Sequence, residues 1–153
     1  MIPPGVAGSR VTLPGTGGVI VGLVLVVEDD PINASLVHAI LARDGHRVLL
    51  AADGVTALDT ARRRLPDVVL LDVSLPGELT GLDVCRQLRA DPATAAIGVL
   101  MLSGWVFDSD VAAGYDAGAD DYLAKPYQHT ELRQRVQTLI DRTPARKTDT
   151  ESG

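Results

Sequence analysis

Five short apolar runs, each followed by a stretch with helical spacing, constrain this chain more than any other feature of its 153 residues. The runs are Leu23–Val27, Arg47–Ala51, Val68–Leu71, Ile97–Leu102 and Asp121–Ala124. Val/Leu-rich runs of this length suit strands buried on both faces, as in a parallel sheet covered by helices. After them, Ile32, Leu36, Val37, Ile40 and Leu41 recur at three-four spacing, as do Leu132, Val136, Leu139 and Ile140. Weaker helical patterns lie at Val55-Leu58-Ala61, Leu82-Leu88 and Val111-Tyr115. Asp30-Pro31 reads as an N-cap and first helical residue, Asp53 as a second cap, and Asp108 or Ser109 as a third. Five strand-helix units with short connections imply an α/β fold, a doubly wound five-stranded parallel sheet.

The units occupy residues 23–142, about one domain's worth. Residues 1–22 are rich in Gly and Pro with almost no charge and read as a flexible extension; residues 143–153 read as a polar tail. The segment Gly15-Thr16-Gly17-Gly18 is no dinucleotide loop, because it precedes the first strand and Ile20 takes the last glycine position. With 20 acidic against 14 basic residues and a formal net charge of -6, the chain lacks the basic excess of a general nucleic-acid binder. The longest apolar run, Val19 to Val27, is far short of the ~20 residues that span a membrane. The N-terminus carries no signal-peptide pattern, so a cytoplasmic protein is expected. A single cysteine, Cys85, excludes an internal disulfide and reads as a small apolar filler. His38, His46 and His129 read as solvated.

A doubly wound sheet binds its ligands beyond the carboxyl ends of its strands. There the sequence places Glu28-Asp29-Asp30, Asp72, Ser103-Gly104 and Lys125-Pro126. Carboxylates so gathered repel, by roughly 4 kcal/mol for a pair 4 Å apart at an effective dielectric near 20. A cation relieves that, and oxygen ligands of this kind suit Mg2+. Lys125 adds a positive charge for a phosphate oxygen and Ser103 a hydrogen bond to another. The set reads as a phosphoryl site with an aspartate nucleophile. Asp30 needs no role beyond its cap, Ser103 can also be a turn hydroxyl, and Tyr122 can also be a packing aromatic.

The same residues resemble a known family. Val24-Leu25-Val26-Val27-Glu28-Asp29-Asp30-Pro31 is similar to the opening strand of receiver domains of bacterial two-component response regulators. Asp72 with Leu75-Pro76-Gly77 and Gly81-Leu82 resembles their phosphoacceptor segment, Ser103-Gly104 their switch pair, and Ala117 to Tyr127 their closing motif. The likeness covers residues 23–142 and implies a flavodoxin-like fold with strand order 2-1-3-4-5 and five helices. It implies Asp72 as the acceptor, and Mg2+ held by Glu28, Asp29, Asp72 and the Ser74 backbone carbonyl. It further implies Ser103 and Lys125 as phosphoryl contacts, Tyr122 as an aromatic switch, and often a cis Lys125-Pro126 bond. One residue more than the usual spacing lies between Asp72 and Gly81. Trp105 and Ser74, two positions after Ser103 and Asp72, flank the route of water to the phosphoryl group.

The function this implies is a single-domain response regulator. It is phosphorylated by a sensor histidine kinase or a histidine phosphotransfer protein, and it acts without being an enzyme toward other substrates. Because the chain ends soon after Arg142, output is expected through a protein bound to the surface of the fourth helix, fifth strand and fifth helix. Direct nucleic-acid and membrane partners are not expected. The chain is expected to be a monomer or a phosphorylation-dependent dimer, with Arg133 or Arg135 opposite Asp120 or Asp121 of a second copy. A phosphorylation-independent scaffold would lack the acceptor or the lysine. A phosphohydrolase of the haloacid-dehalogenase type would want an aspartate where Ser74 stands.

Overall fold

In the computed structural model, residues 11–12 and 19–142 are described. Five parallel strands, β1 Leu23–Val27, β2 Arg47–Ala51, β3 Val68–Asp72, β4 Gly98–Ser103 and β5 Asp121–Ala124, form one sheet in the order β2-β1-β3-β4-β5. The expected order is therefore found. Five helices cover it: α1 Pro31–Arg43, α2 Gly54–Arg64, α3 Gly81–Ala90, α4 Asp108–Asp116 and α5 His129–Arg142.

The three central strands are buried throughout because alternate residues face opposite sides and both sides are apolar. Leu25, Val27, Val69, Leu71, Val99 and Met101 pack on α2 and α3 through Ala57, Leu58, Val84, Cys85 and Leu88. Val24, Val26, Val68, Leu70, Leu100 and Leu102 pack on the other side against Val37, Ile40 and Leu41 of α1 and Leu132, Val136 and Ile140 of α5. Cys85 is the filler it was read to be, and burial pushes its thiol up to about 11.

Helix starts follow local chemistry with one exception. Asp30 accepts from the Ile32 N–H with Pro31 in the first turn, and Asp53 accepts from the Thr56 N–H, both as expected. α3 opens on a reciprocal cap, with Thr80 accepting from the Asp83 N–H and Asp83 from the Thr80 N–H. For α4 the expectation fails. Asp108 and Ser109 lie inside the helix, Phe107 is the N-cap residue, and no side chain caps it. Asp108 and Asp110 instead set their charges against the first-turn amides.

Two further corrections concern the end of the sheet opposite the carboxylates. Val11–Thr12 pairs antiparallel with Ile20–Val21, strands too short to leave a periodic signal within the extension; residues 1–10, 13–18 and 143–153 lie outside the described ones. His46 is buried, not solvated: its Nδ1 accepts the Gly22 N–H at 3.1 Å. Burial lowers the imidazole from its ordinary 6.5, against the opposing pull of Asp44, Gln137 and Asp141. The unfolded chain thus binds the proton more readily, so the stability tied to neutral His46 is complete above 6.5 and is lost as pH falls below it. Denaturant midpoints measured from about pH 7.5 down to about pH 5.5 are expected to fall, and less steeply in His46→Gln.

Candidate functional site

Strand register gathers the site. Asp72 is the last residue of β3 and lies opposite Leu102; Ser103 ends β4 opposite Ala124. Backbone hydrogen bonds continue past the strand ends: Glu28 N–H to Ala51 C=O at 2.9 Å, Val73 N–H to Leu102 C=O at 3.1 Å, and Lys125 N–H to Ser103 C=O at 2.8 Å. The residues carrying charge thus sit on backbone as regular as the sheet itself.

Asp72 is only 7% exposed. Its Oδ1 accepts the Ser74 N–H at 2.9 Å and its Oδ2 accepts Lys125 Nζ at 2.7 Å. The ammonium also lies 3.7 Å from Glu28 Oε1. The Lys125-Pro126 peptide is cis. One ligand oxygen from each of Glu28, Asp29 and Asp72 lies within 4.8 Å of the others. Burial of Glu28 raises its carboxyl, and the nearby Asp72 charge adds to this; the Asp30 N–H bond and Lys125 oppose it. Burial alone would lower the Lys125 ammonium, but the hydrogen bond and charge of Asp72, with Glu28, hold it above the usual lysine value. Lys125 is one positive charge among three carboxylates. The cluster keeps a negative excess and hard oxygen donors, and exposed Asp29 leaves one side open to water. That donor set fits Mg2+.

Ser103 and Tyr122 meet elsewhere, through the two peptide groups that flank the Trp105 Cα. The buried Ser103 Oγ accepts the Trp105 N–H at 2.9 Å, and the Tyr122 hydroxyl donates to the Trp105 C=O at 2.7 Å. The Tyr122 ring lies flush on α4, where a Cβ at Gly114 would come within 2.8 Å of it. Nothing in the residue pattern indicated this bridge, since it uses the Trp105 backbone and not its side chain. The loop with the extra residue runs from Pro76 to Leu79, whose Cβ abuts Gly54 at the start of α2. Its far end returns tightly: the Gly81 N–H bonds Val73 C=O at 3.0 Å, and any side chain at Gly81 would strike the Asp72 backbone.

The arginines assigned to a second copy are engaged within the chain. Arg135 pairs with Asp121 at 2.7 Å and Arg133 with Asp44 at 2.8 Å, while Asp120 pairs with Arg89 at 2.9 Å. No helix among the described residues is long and apolar enough to cross a membrane.

Residues 24–137 match the family model for the response regulator receiver domain. Among curated proteins, the chain is 41% identical over 119 residues to the DNA-binding response regulator MtrA of Mycolicibacterium smegmatis. It is likewise 41% identical over 120 residues to the DNA-binding dual master transcriptional regulator RpaA of Synechocystis. Each alignment covers 78% of this chain and 50% or 49% of the relative, so the chain spans about half the length of these relatives. Among solved structures, a response regulator of Chloroflexus aurantiacus superposes with a TM-score of 0.74 at 38% identity, covering 78% of this chain and 98% of that one. The receiver domain of a sensor histidine kinase of Pseudomonas aeruginosa, with a magnesium ion coordinated in its active-site cleft, gives 0.72 at 35% identity, covering 78% and 97%.

The relatives overturn one expectation, that nucleic acid is absent from the partners. Both are DNA-binding regulators, and the part this chain matches is only half of each. An acidic balance over such a half carries no information about binding by the remainder.

Proposed function

The chain belongs to the response regulator receiver domain family, and from that premise we propose that it is switched by phosphorylation of Asp72. The observation that supports this most is the pairing of Asp72 with Lys125 Nζ at 2.7 Å inside a cluster that includes Glu28 and Asp29. An Asp72 carboxylate oxygen attacks the phosphorus of a phosphohistidine on a sensor kinase or phosphotransfer protein. The P–O bond forms, the P–N bond breaks, and the imidazole leaving group takes a proton. Glu28, Asp29, Asp72 and the Ser74 carbonyl would hold Mg2+, which supplies positive charge to the phosphoryl oxygens.

Lys125 then exchanges its carboxylate oxygen for a phosphoryl oxygen. Ser103 Oγ turns to donate to another, which requires it to release the Trp105 N–H. The carbonyl of that same residue holds the Tyr122 hydroxyl, so both groups shift as one equilibrium biased by the acyl phosphate. By analogy with its DNA-binding relatives, the output is control of DNA binding by a longer regulator, in the cytoplasm. Hydrolysis of the acyl phosphate resets the switch.

Incubation with phosphoramidate and Mg2+ is expected to add one phosphoryl group by intact mass, and a chelator to prevent it. A chain left unmodified by phosphoramidate and by every kinase tried overturns the reading. Trp105 stands two positions after Ser103 with its indole exposed, and the indole is expected to slow the approach of water. Trp105→Ala, which keeps the backbone bridge, should shorten the acyl-phosphate lifetime severalfold in a phosphate-release assay.

A further inference from the structure

The two edges of the five-stranded sheet differ in how they meet solvent. β5, the shorter edge strand, carries the Asp121 charge, held by Arg135 at 2.7 Å. Short length and charge are what keep an edge from pairing with another chain. β2, the other edge, reads Arg47-Val48-Leu49-Leu50-Ala51, with no proline, no acid and no bulge in its register with β1. No strand among the described residues pairs with its outer side.

Backbone hydrogen bonds show which residues face that side. The Arg47 N–H bonds Gly22 C=O at 3.0 Å and the Glu28 N–H bonds Ala51 C=O at 2.9 Å, so Arg47 and Ala51 are turned toward β1. Direction alternates along a strand, so Leu49 is turned the same way, while Val48 and Leu50 aim N–H and C=O outward. Leu50 is 47% exposed, so neither flanking helix roofs the strand.

The outward residues stand symmetrically about Leu49, and that symmetry selects the partner. A two-fold axis through Leu49 sets β2 antiparallel to β2 of a second copy, with Val48 opposite Leu50 on both sides of the axis. Each such pair exchanges both of its N–H···O=C bonds, and the Val48 and Leu50 side chains, which share a face, meet across the seam. Arg47, which is exposed, then stands opposite Ala51 of the second copy. It is diagonal to Asp53 of that copy, the N-cap of α2, and within reach of it. Symmetry repeats the ion pair at the other end of the seam.

We propose that β2 is the interface of a symmetric dimer of this chain, which joins two sheets edge to edge into one. The axis turns the two sheets antiparallel, so the Asp72 clusters lie at opposite edges of the joined sheet and neither is covered. The association uses no residue of the acceptor cluster and holds whether or not Asp72 is phosphorylated.

Sedimentation velocity of the full chain, without phosphodonor or Mg2+, is expected to show a dimer whose share grows with concentration. Leu50→Lys, which puts a charge on the seam, should raise the dissociation constant about tenfold or more. Arg47→Glu, which sets like charges against each other across the seam, should raise it severalfold. Circular dichroism checks that each variant stays folded; should Leu50→Lys lose its fold, Arg47→Glu and amide exchange decide. In amide exchange followed by NMR, Val48 and Leu50 should gain protection as the chain is concentrated, whereas Leu49, turned to β1, should not change. A chain that stays monomeric throughout overturns the proposal. So does a dimer that the folded variants leave intact. A dimer in which Val48 and Leu50 exchange as fast as in the monomer joins through another face and also overturns it.

Discussion

Asp72→Asn is expected to abolish phosphoryl incorporation from any donor while making the metal-free chain slightly more stable. The amide is no nucleophile toward phosphorus, so the loss should be complete by intact mass. The stability change follows from counting charges. Glu28, Asp29 and Asp72 against Lys125 leave a net charge of about -2 among groups held within 4.8 Å; the substitution reduces it to about -1. Some of the gain is cancelled by weakening the 2.7 Å contact to Lys125, leaving about 1 kcal/mol. Lys125→Ala runs the other way, leaving three carboxylates without their cation, and should cost about 2 kcal/mol in the metal-free chain. Added Mg2+ should raise the unfolding midpoint of the unaltered chain more than that of Asp72→Asn. Chemical denaturation with and without Mg2+ reads all of these.

Arg89→Ala is expected to be the most destabilising single change outside the core, by about 3 kcal/mol. Its guanidinium donates to Gly118 C=O at 2.9 Å, Ala95 C=O at 3.0 Å, Ile97 C=O at 2.5 Å and Asp120 Oδ2 at 2.9 Å. Asp120 Oδ2 also accepts the Val99 N–H at 2.8 Å. One side chain thus ties α3 to the segments entering β4 and β5. Truncation strands these acceptors, Asp120 among them, in a half-buried place where water replaces them poorly. Arg89→Lys should recover little, because an ammonium on a flexible stem cannot fill a planar fork with four acceptors on two segments. Urea midpoints at neutral pH check both variants.

These two predictions mark the boundary of what the residues disclosed on their own. Each charged group of the site is local to a strand end, and the run before it announces that end; hence Glu28, Asp29, Asp72, Ser103 and Lys125 could be placed from spacing. Arg89 belongs to the other category. Its partners Gly118 and Asp120 lie 29 and 31 residues away, and nothing near an arginine in a helix advertises contacts at that range. His46 was missed for the same reason, since its burial depends on Gly22 arriving from another segment. The start of α4 was misplaced because Phe107 lacks cap chemistry, whereas Asp30 and Asp53 carried a readable signal at the starts of α1 and α2. The nucleic-acid expectation failed because charge balance is a property of the residues counted, and the relatives are about twice as long.

The backbone bonds that run past the strand ends give the site its scale. Neighbouring strands in any sheet lie about 4.8 Å apart, and the ligand oxygens of Glu28 and Asp29, just past the end of β1, and of Asp72, at the end of the adjacent β3, fall within 4.8 Å of one another. The pitch of the sheet is the ruler that spaces the carboxylates for a divalent ion. Core side chains beneath can vary in volume without resetting that ruler, whereas slipping β3 against β1 by one residue would break it at once.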